Sequence, residues 1–237
     1  MLNQQSKIFI SGASDGLGKA ISLEIAKRTT CKLALCGRNE AKLKKVLKDI
    51  QDINPEMEVL VAAFDATDET ACQQFADHVL NAFGNIDILV NNAGANLRKS
   101  KVEDIRIDEL KNMFSLNCVA SLIFIQKFLP KMKENKEGLI LDILSSVCLA
   151  NIENMAAYSA SKQAMNAIHK ILVKEVQKDN IKVSGIYPGG INTNFREIER
   201  KDYLDPDKLA RVIVDVMELD DGVVHDLVLR PMVENNF

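Results

Sequence analysis

The chain has 237 residues, of which 47% are hydrophobic and 27% charged, with a formal net charge of −3 at pH 7. That length holds one large α/β domain or two small ones, and the apolar share is ample for a core. The near-balanced charge excludes the electrostatic footprint of a nucleic-acid-binding surface.

Cys31, Cys36, Cys72, Cys118 and Cys148 are odd in number and form no CxxC pair, so they read as reduced, buried thiols with no metal site. The opening MLNQQSKIFISG lacks the long apolar run of a secretory signal, and no apolar run reaches the ~18 residues of a membrane span. A soluble, cytoplasmic protein with neither a membrane nor a nucleic-acid partner is expected.

In chain order, short apolar runs alternate with amphipathic stretches. Strands are predicted at Lys7–Ile10, Lys32–Cys36, Met57–Phe64, Ile86–Val90, Leu139–Leu144, Ile181–Ile186 and Val224–Leu229. Helices are predicted at Leu17–Arg28, Glu40–Ile53, Glu69–Phe83, Ile107–Lys133, Met155–Gln177 and Pro206–Met217. Strands separated by single helices imply crossover connections. The expectation is a Rossmann-type doubly wound α/β fold, with a mainly parallel seven-stranded sheet and helices on both faces. No linker interrupts the pattern, so residues 1–237 read as one domain. Asp142 breaks the apolar run LILDIL, and nothing in the sequence accounts for it.

Four places could carry chemistry. Ser11-Gly12-Ala13-Ser14-Asp15-Gly16-Leu17-Gly18 follows the first strand and opens the first helix. Its GxxxGxG spacing allows close backbone approach, and the helix start offers N–H groups to a pyrophosphate. As a bare strand–helix connector it would mean nothing.

Second, Arg38 ends LALCGR where a nucleotide ribose would lie. An acid there suits NAD and an arginine suits the 2′-phosphate of NADP, although Asp15 stands near the same phosphate. A solvated arginine is the plain alternative.

Third, Asn91-Asn92-Ala93-Gly94 ends the fourth strand, where a doubly wound sheet opens its crevice. The fourth is ILDILSSVCLANIENMAAYSASK, residues 140 to 162. Asn154 is expected to cap a helix on which Tyr158 and Lys162, four apart, share a face. A nearby ammonium would favour the phenolate and bring the tyrosine toward acid–base duty. An isolated Tyr–Lys pair is otherwise an ordinary solvated helix pair.

Together, Gly12, Gly16 and Gly18, the NNAG turn, Asn117 in MFSLNCVASL, the serines, Tyr158-x-x-x-Lys162 and Pro188-Gly189 with Thr193 resemble the compact, single-domain branch of the short-chain dehydrogenase/reductase family. The resemblance runs from Ile8 to about Pro231. It implies Tyr158 as general acid in reduction and Lys162 as the nicotinamide-ribose ligand that lowers the tyrosine's pKa. It implies that Asn117 holds a water in a proton relay from that lysine. The dinucleotide site would comprise Gly12, Ser14, Asp15, Gly16, Leu17, Gly18, Arg38, Asp65, Ala66, Asn92, Ala93, Gly94, Tyr158, Lys162, Pro188, Gly189, Ile191 and Thr193. Within that set Asp65 would meet the adenine amino group beside Ala66, and Ile191 and Thr193 would hold the carboxamide. Alone, Asn117 could be a packing polar residue and Thr193 a cap.

In the family the catalytic serine usually precedes the tyrosine by thirteen residues and follows the strand's glycine by seven. Both counts select Ser145 over Ser146.

The expected activity is reduction of a ketone or aldehyde carbonyl with NADP(H), NAD(H) remaining possible. Alternatives are an NAD-dependent alcohol dehydrogenase, a 3-oxoacyl-thioester reductase or a non-catalytic dinucleotide-binding protein. Against the thioester reading stands Asp179, where such enzymes often carry an arginine, although Lys136 could meet an acidic carrier. The substrate-loop segment 194–205 is short, which implies an open pocket. Leu116, Ile123, Ile168 and Leu172 exceed what one sheet face needs, which suggests a homodimer or homotetramer, unless all of them pack on the sheet.

Overall fold

The computed structural model describes residues 1–193 and 200–234. Its elements run β1 (Lys7–Ile10), α1 (Gly16–Arg28), β2 (Lys32–Gly37), α2 (Glu40–Ile53), β3 (Glu58–Ala63), α3 (Glu69–Phe83), β4 (Ile88–Asn91), α4 (Ile107–Phe114), α5 (Ala120–Asn135), β5 (Gly138–Ile143), α6 (Ala156–Val176), β6 (Ile181–Pro188), α7 (Pro206–Glu218) and β7 (Asp226–Leu229). The bounds of α2 and α3 match expectation because the caps are legible. Asn39 accepts from the Lys42 amide at 2.9 Å and Asp68 from that of Ala71 at 3.0 Å.

The seven strands form one sheet in the order β3-β2-β1-β4-β5-β6-β7, with every adjacent pair parallel. The order reverses between β1 and β4, so the loops leaving those two strands diverge and open a crevice at their carboxyl ends.

Strand residues alternate between two cores. Ile8, Ile10, Leu33, Leu35, Val90 and Leu141 face α1, α2 and α7. Phe9, Ala34, Leu89, Ile140 and Val183 face α3, α5 and α6, where the Phe9 ring packs 4.6 Å from Phe124 and 5.0 Å from Phe128.

Four expectations need correction. The helix expected over Ile107–Lys133 is interrupted by a π turn at Ser115–Val119, which inserts an extra residue and separates α4 from α5. This composite rod, Ile107–Asn135, is long and apolar enough to cross a membrane by length and composition, contrary to the reading that no such run exists, yet over half of the qualifying stretch is buried in the fold. Asn154 does not cap α6. It takes a left-handed conformation (φ 62°), and the helix starts after Met155 without a side-chain cap. Finally, Leu116, Ile123 and Leu172 are buried in the chain's own core, and Ile168 is partly buried, whereas Ile171 is 59% exposed.

Candidate active site

The glycine-rich turn is tight because three of its positions tolerate no side chain easily. Gly12 and Gly16 have φ of 68° and 54°, and a Cβ on Gly18 would lie 2.4 Å from the Gly12 carbonyl oxygen. Asn92 fastens the turn to the loop after β4, its Nδ2 donating to the carbonyls of Ser11 and Gly12 at 2.9 and 3.1 Å. Ser11 Oγ in turn accepts from the Asn92 and Ala93 amides, each at 3.0 Å. The two expected motifs therefore form one rigid rim around the crevice.

Gly37 lets the end of β2 approach this rim, since a Cβ there would meet Ser14 Oγ at 2.8 Å. Arg38, exposed, is thereby carried beside the turn. The Asp15 carboxylate caps the Gly16 amide at 2.8 Å and pairs with Lys42, so its negative charge is opposed by a cation that the sequence reading missed. Asp65 spends Oδ1 on the Thr67 amide and hydroxyl, both at 2.9 Å, which fixes the turn after β3; Ala66 follows it there.

The expected catalytic residues converge on the same end of the sheet. Lys162 is 5% exposed, and its Nζ donates to the Ile143 carbonyl, at the end of β5, at 2.7 Å. Burial lowers its pKa from 10.5 to about 8, against opposing effects of Cys148, Asp142 and Cys118. Tyr158, one turn earlier on α6, is 8% exposed and packs in an apolar cluster with Met113, Val147 and Met155.

Asn117 sits in the π turn at 1% exposure. Its Oδ1 accepts from the Ala95 amide at 2.8 Å, while Nδ2 donates to the Ala95 carbonyl and to Ser161 Oγ, both at 2.9 Å. Ser161 Oγ donates to the Tyr158 carbonyl at 2.7 Å. The Asn117 amide is thus largely committed to joining the NNAG loop to α6, leaving one Oδ1 lone pair for a water. Gly94 explains the closeness, because a Cβ there would lie 2.9 Å from Asn117 Oδ1 and 3.1 Å from Lys162 Nζ.

Ser145 ends the extended run after β5 (φ −169°), and its Oγ accepts from the Val147 amide at 3.3 Å. Ser146 opens the following 3-10 turn and is 5% exposed.

The far wall is the loop after β6. Gly189 donates to the Leu229 carbonyl at 2.7 Å, beside Pro188, and the Gly190 amide donates to Glu234 Oε1 at 2.8 Å. Arg230 holds the other oxygen of Glu234 at 3.2 Å. Ile191 pairs with Leu204, and Thr193 faces Gly16, where a Cβ would stand 3.4 Å from the threonine. Of the expected substrate-loop segment, residues 194–199 lie outside the described residues. Asp142 and its partner His169, Ser161, Lys42 and Glu234 were missed in the sequence. Asp142 alone gave a signal, as a charge in an apolar strand.

The arrangement suits a dinucleotide. The rim glycines admit a ligand's phosphates against the Leu17 and Gly18 amides at the start of α1, which take no protein acceptor among the described residues. A buried ammonium then waits farther along the same cleft.

Comparisons with known proteins agree. A family model described as short chain dehydrogenase matches residues 6–204. An uncharacterized oxidoreductase of Staphylococcus aureus is 30% identical over 94% of this chain and 96% of its own. Among solved structures, an alcohol dehydrogenase of Thermococcus sibiricus complexed with 5-hydroxy-NADP superposes with a TM-score of 0.89 at 25% identity, covering 98% of both chains. A metagenomic short-chain oxidoreductase in complex with NADP gives 0.85 at 26% identity, covering 98% of this chain and 99% of the other.

Proposed function

Because the chain belongs to the short-chain dehydrogenase/reductase family and is an oxidoreductase, we propose that it reduces a ketone or aldehyde carbonyl to an alcohol with NADP(H), using Tyr158 as general acid. The observation that carries this reading is the buried Lys162 ammonium, one helical turn from Tyr158 on the face of α6 that lines the crevice.

A bound dinucleotide would supply the hydride. Lys162 would hold the nicotinamide ribose and, as a cation, favour the phenolate of Tyr158 once its proton has left. Tyr158 would donate that proton to the carbonyl oxygen while the Ser145 hydroxyl stabilises the growing negative charge. Asn117, through Ala95 and Ser161, would keep the loop and α6 in register.

NADP over NAD is supported by exposed Arg38 and by Lys42, which opposes the Asp15 charge that would otherwise repel a 2′-phosphate. The relatives solved with NADP and 5-hydroxy-NADP lie in the same direction. A 3-oxoacyl-thioester substrate gains no support from Lys136, whose ammonium is paired with Asp179 at the opposite end of the sheet. A homodimer or homotetramer is proposed through the α6 face that carries Ile171.

Loss of NADPH absorbance with a panel of ketones, diketones, quinones and oxoacyl thioesters tests the reading. Turnover should favour NADPH over NADH, and Tyr158→Phe should lower kcat by roughly 10²–10⁴-fold. Undiminished turnover in that variant would end the proposal. Alanine at Ser145 should cost far more turnover than alanine at Ser146.

A further inference from the structure

A second buried ionisable group lies beneath the first. Asp142, the penultimate residue of β5, is 1% exposed. Its Oδ1 accepts from Asn91 Nδ2 of β4 at 2.8 Å, and its Oδ2 stands 2.7 Å from His169 Nδ1 of α6. Strand register sets Asn91 and Gly185 on either side of Asp142. At Gly185 a Cβ would come within 2.9 Å of His169 Nε2, so the absence of a side chain there makes room for the imidazole. A carboxylate withdrawn from water this completely is costly unless held on all sides, and the proposed catalytic steps give it no task.

The anchor of Lys162 lies one residue farther along β5. The ammonium donates to the carbonyl of Ile143, the residue that follows Asp142. His169 lies seven residues after Lys162 on α6, two turns along the same face. The ionisable neighbours are Cys118 from the π turn, Cys148 from the turn after β5, Tyr158 and His169 from α6, and Tyr187 of β6, whose hydroxyl donates to Asn166 Oδ1 at 2.9 Å, with Asp226 of β7 near it.

We propose that Asp142 is a positioning residue for Lys162: its carboxylate, fixed by Asn91 and His169, keeps the lysine ammonium charged on the floor of the cleft. The proposal rests on the reading of Lys162 as the ribose-binding lysine. Burial alone drives Lys162 toward the neutral amine, and three groups oppose it: Cys148, Asp142 and Cys118. Both thiols are themselves pushed up by burial and stay uncharged near neutrality. Asp142 is then the one carboxyl group among these three.

Asp142→Asn tests this with little change of shape, since asparagine can accept from Asn91 and donate to the other tautomer of His169. The state of Lys162 can be followed without turnover by NMR of protein labelled with ¹³C at lysine Cε, the resonance being assigned by its loss in Lys162→Met. In the wild type it should titrate near 8, and in Asp142→Asn the midpoint should fall by about one pH unit. His169→Gln, which keeps a donor to the carboxylate, should leave it in place. The alkaline limb of kcat/KM should move down with the midpoint in Asp142→Asn.

An unmoved midpoint in Asp142→Asn overturns the proposal, and so does an equal shift in both variants, which would assign the effect to packing. Should Asp142→Asn not fold, Asp142→Leu combined with His169→Leu and Asn91→Leu removes the charge together with both of its polar partners, and the same shift is expected. A wild type without NADPH turnover would instead sink the carbonyl-reductase reading, while the midpoint comparison would still decide the role of Asp142.

Discussion

The two faces of the sheet are built to different standards. Against α1, α2 and α7 the strands present isoleucine, leucine and valine. The buried carboxylate of that side, Glu24, stays at its rim against Lys27 and Arg28. Against α3, α5 and α6 the same strands bury Asp142 and face Lys162, His169, Asn117 and Asn166. One face uses burial to hold the chain together. The other accepts desolvated charge and amide networks where an all-apolar core would be more stable, and that excess lies under the crevice.

The comparison breaks first at Lys162. Lys162→Met should lower turnover by about 10³-fold, through loss of the charge beside Tyr158. The same change should raise the melting temperature of the ligand-free protein by a few degrees, because a buried cation gives way to an apolar chain of similar length. A variant that is both inactive and less stable would show that the polar face is not under strain.

The apolar face should answer in the opposite sense. Ile213, fully buried on α7, should cost about 2–5 kcal/mol of stability on replacement by alanine, read by urea denaturation. Dinucleotide affinity of the folded fraction should be unchanged. A large affinity loss there would mean that the two faces are not separable.

The smallest effect is a pH dependence. Lys162 has a folded pKa near 8 against 10.5 when unfolded. Between these values the unfolded chain binds a proton that the folded chain does not, so stability from this group rises with pH. The penalty is fully present below pH 8 and is relieved by about pH 10.5. On the order of 3 kcal/mol should be regained across that window, measured as the difference between wild type and Lys162→Met so that other groups cancel.

The sheet was legible because period-two burial and helix caps are local signals, and Asn39 and Asp68 mark their helices within three residues of the bonds they make. The π turn was not, since one extra residue hardly disturbs the apolar pattern of a long helix; the buried Asn117 was its trace. Asn154 misled because asparagine serves caps and left-handed turns equally well. Within the site, the positions of Tyr158, Lys162 and the glycines followed from spacing, but their supports did not. Asp142 meets His169 across 27 residues and Gly190 meets Glu234 across 44, separations at which no periodicity speaks.

That last contact has a consequence for how the protein is made. The glycine rim and the lysine both lie within the stretch from β1 through α6. The acceptor for the Gly190 amide is translated 44 residues after its donor. The wall after β6 is therefore completed later than the glycine rim, and a bulky fusion placed just after Glu234 should disturb ligand affinity more than one placed before Met1.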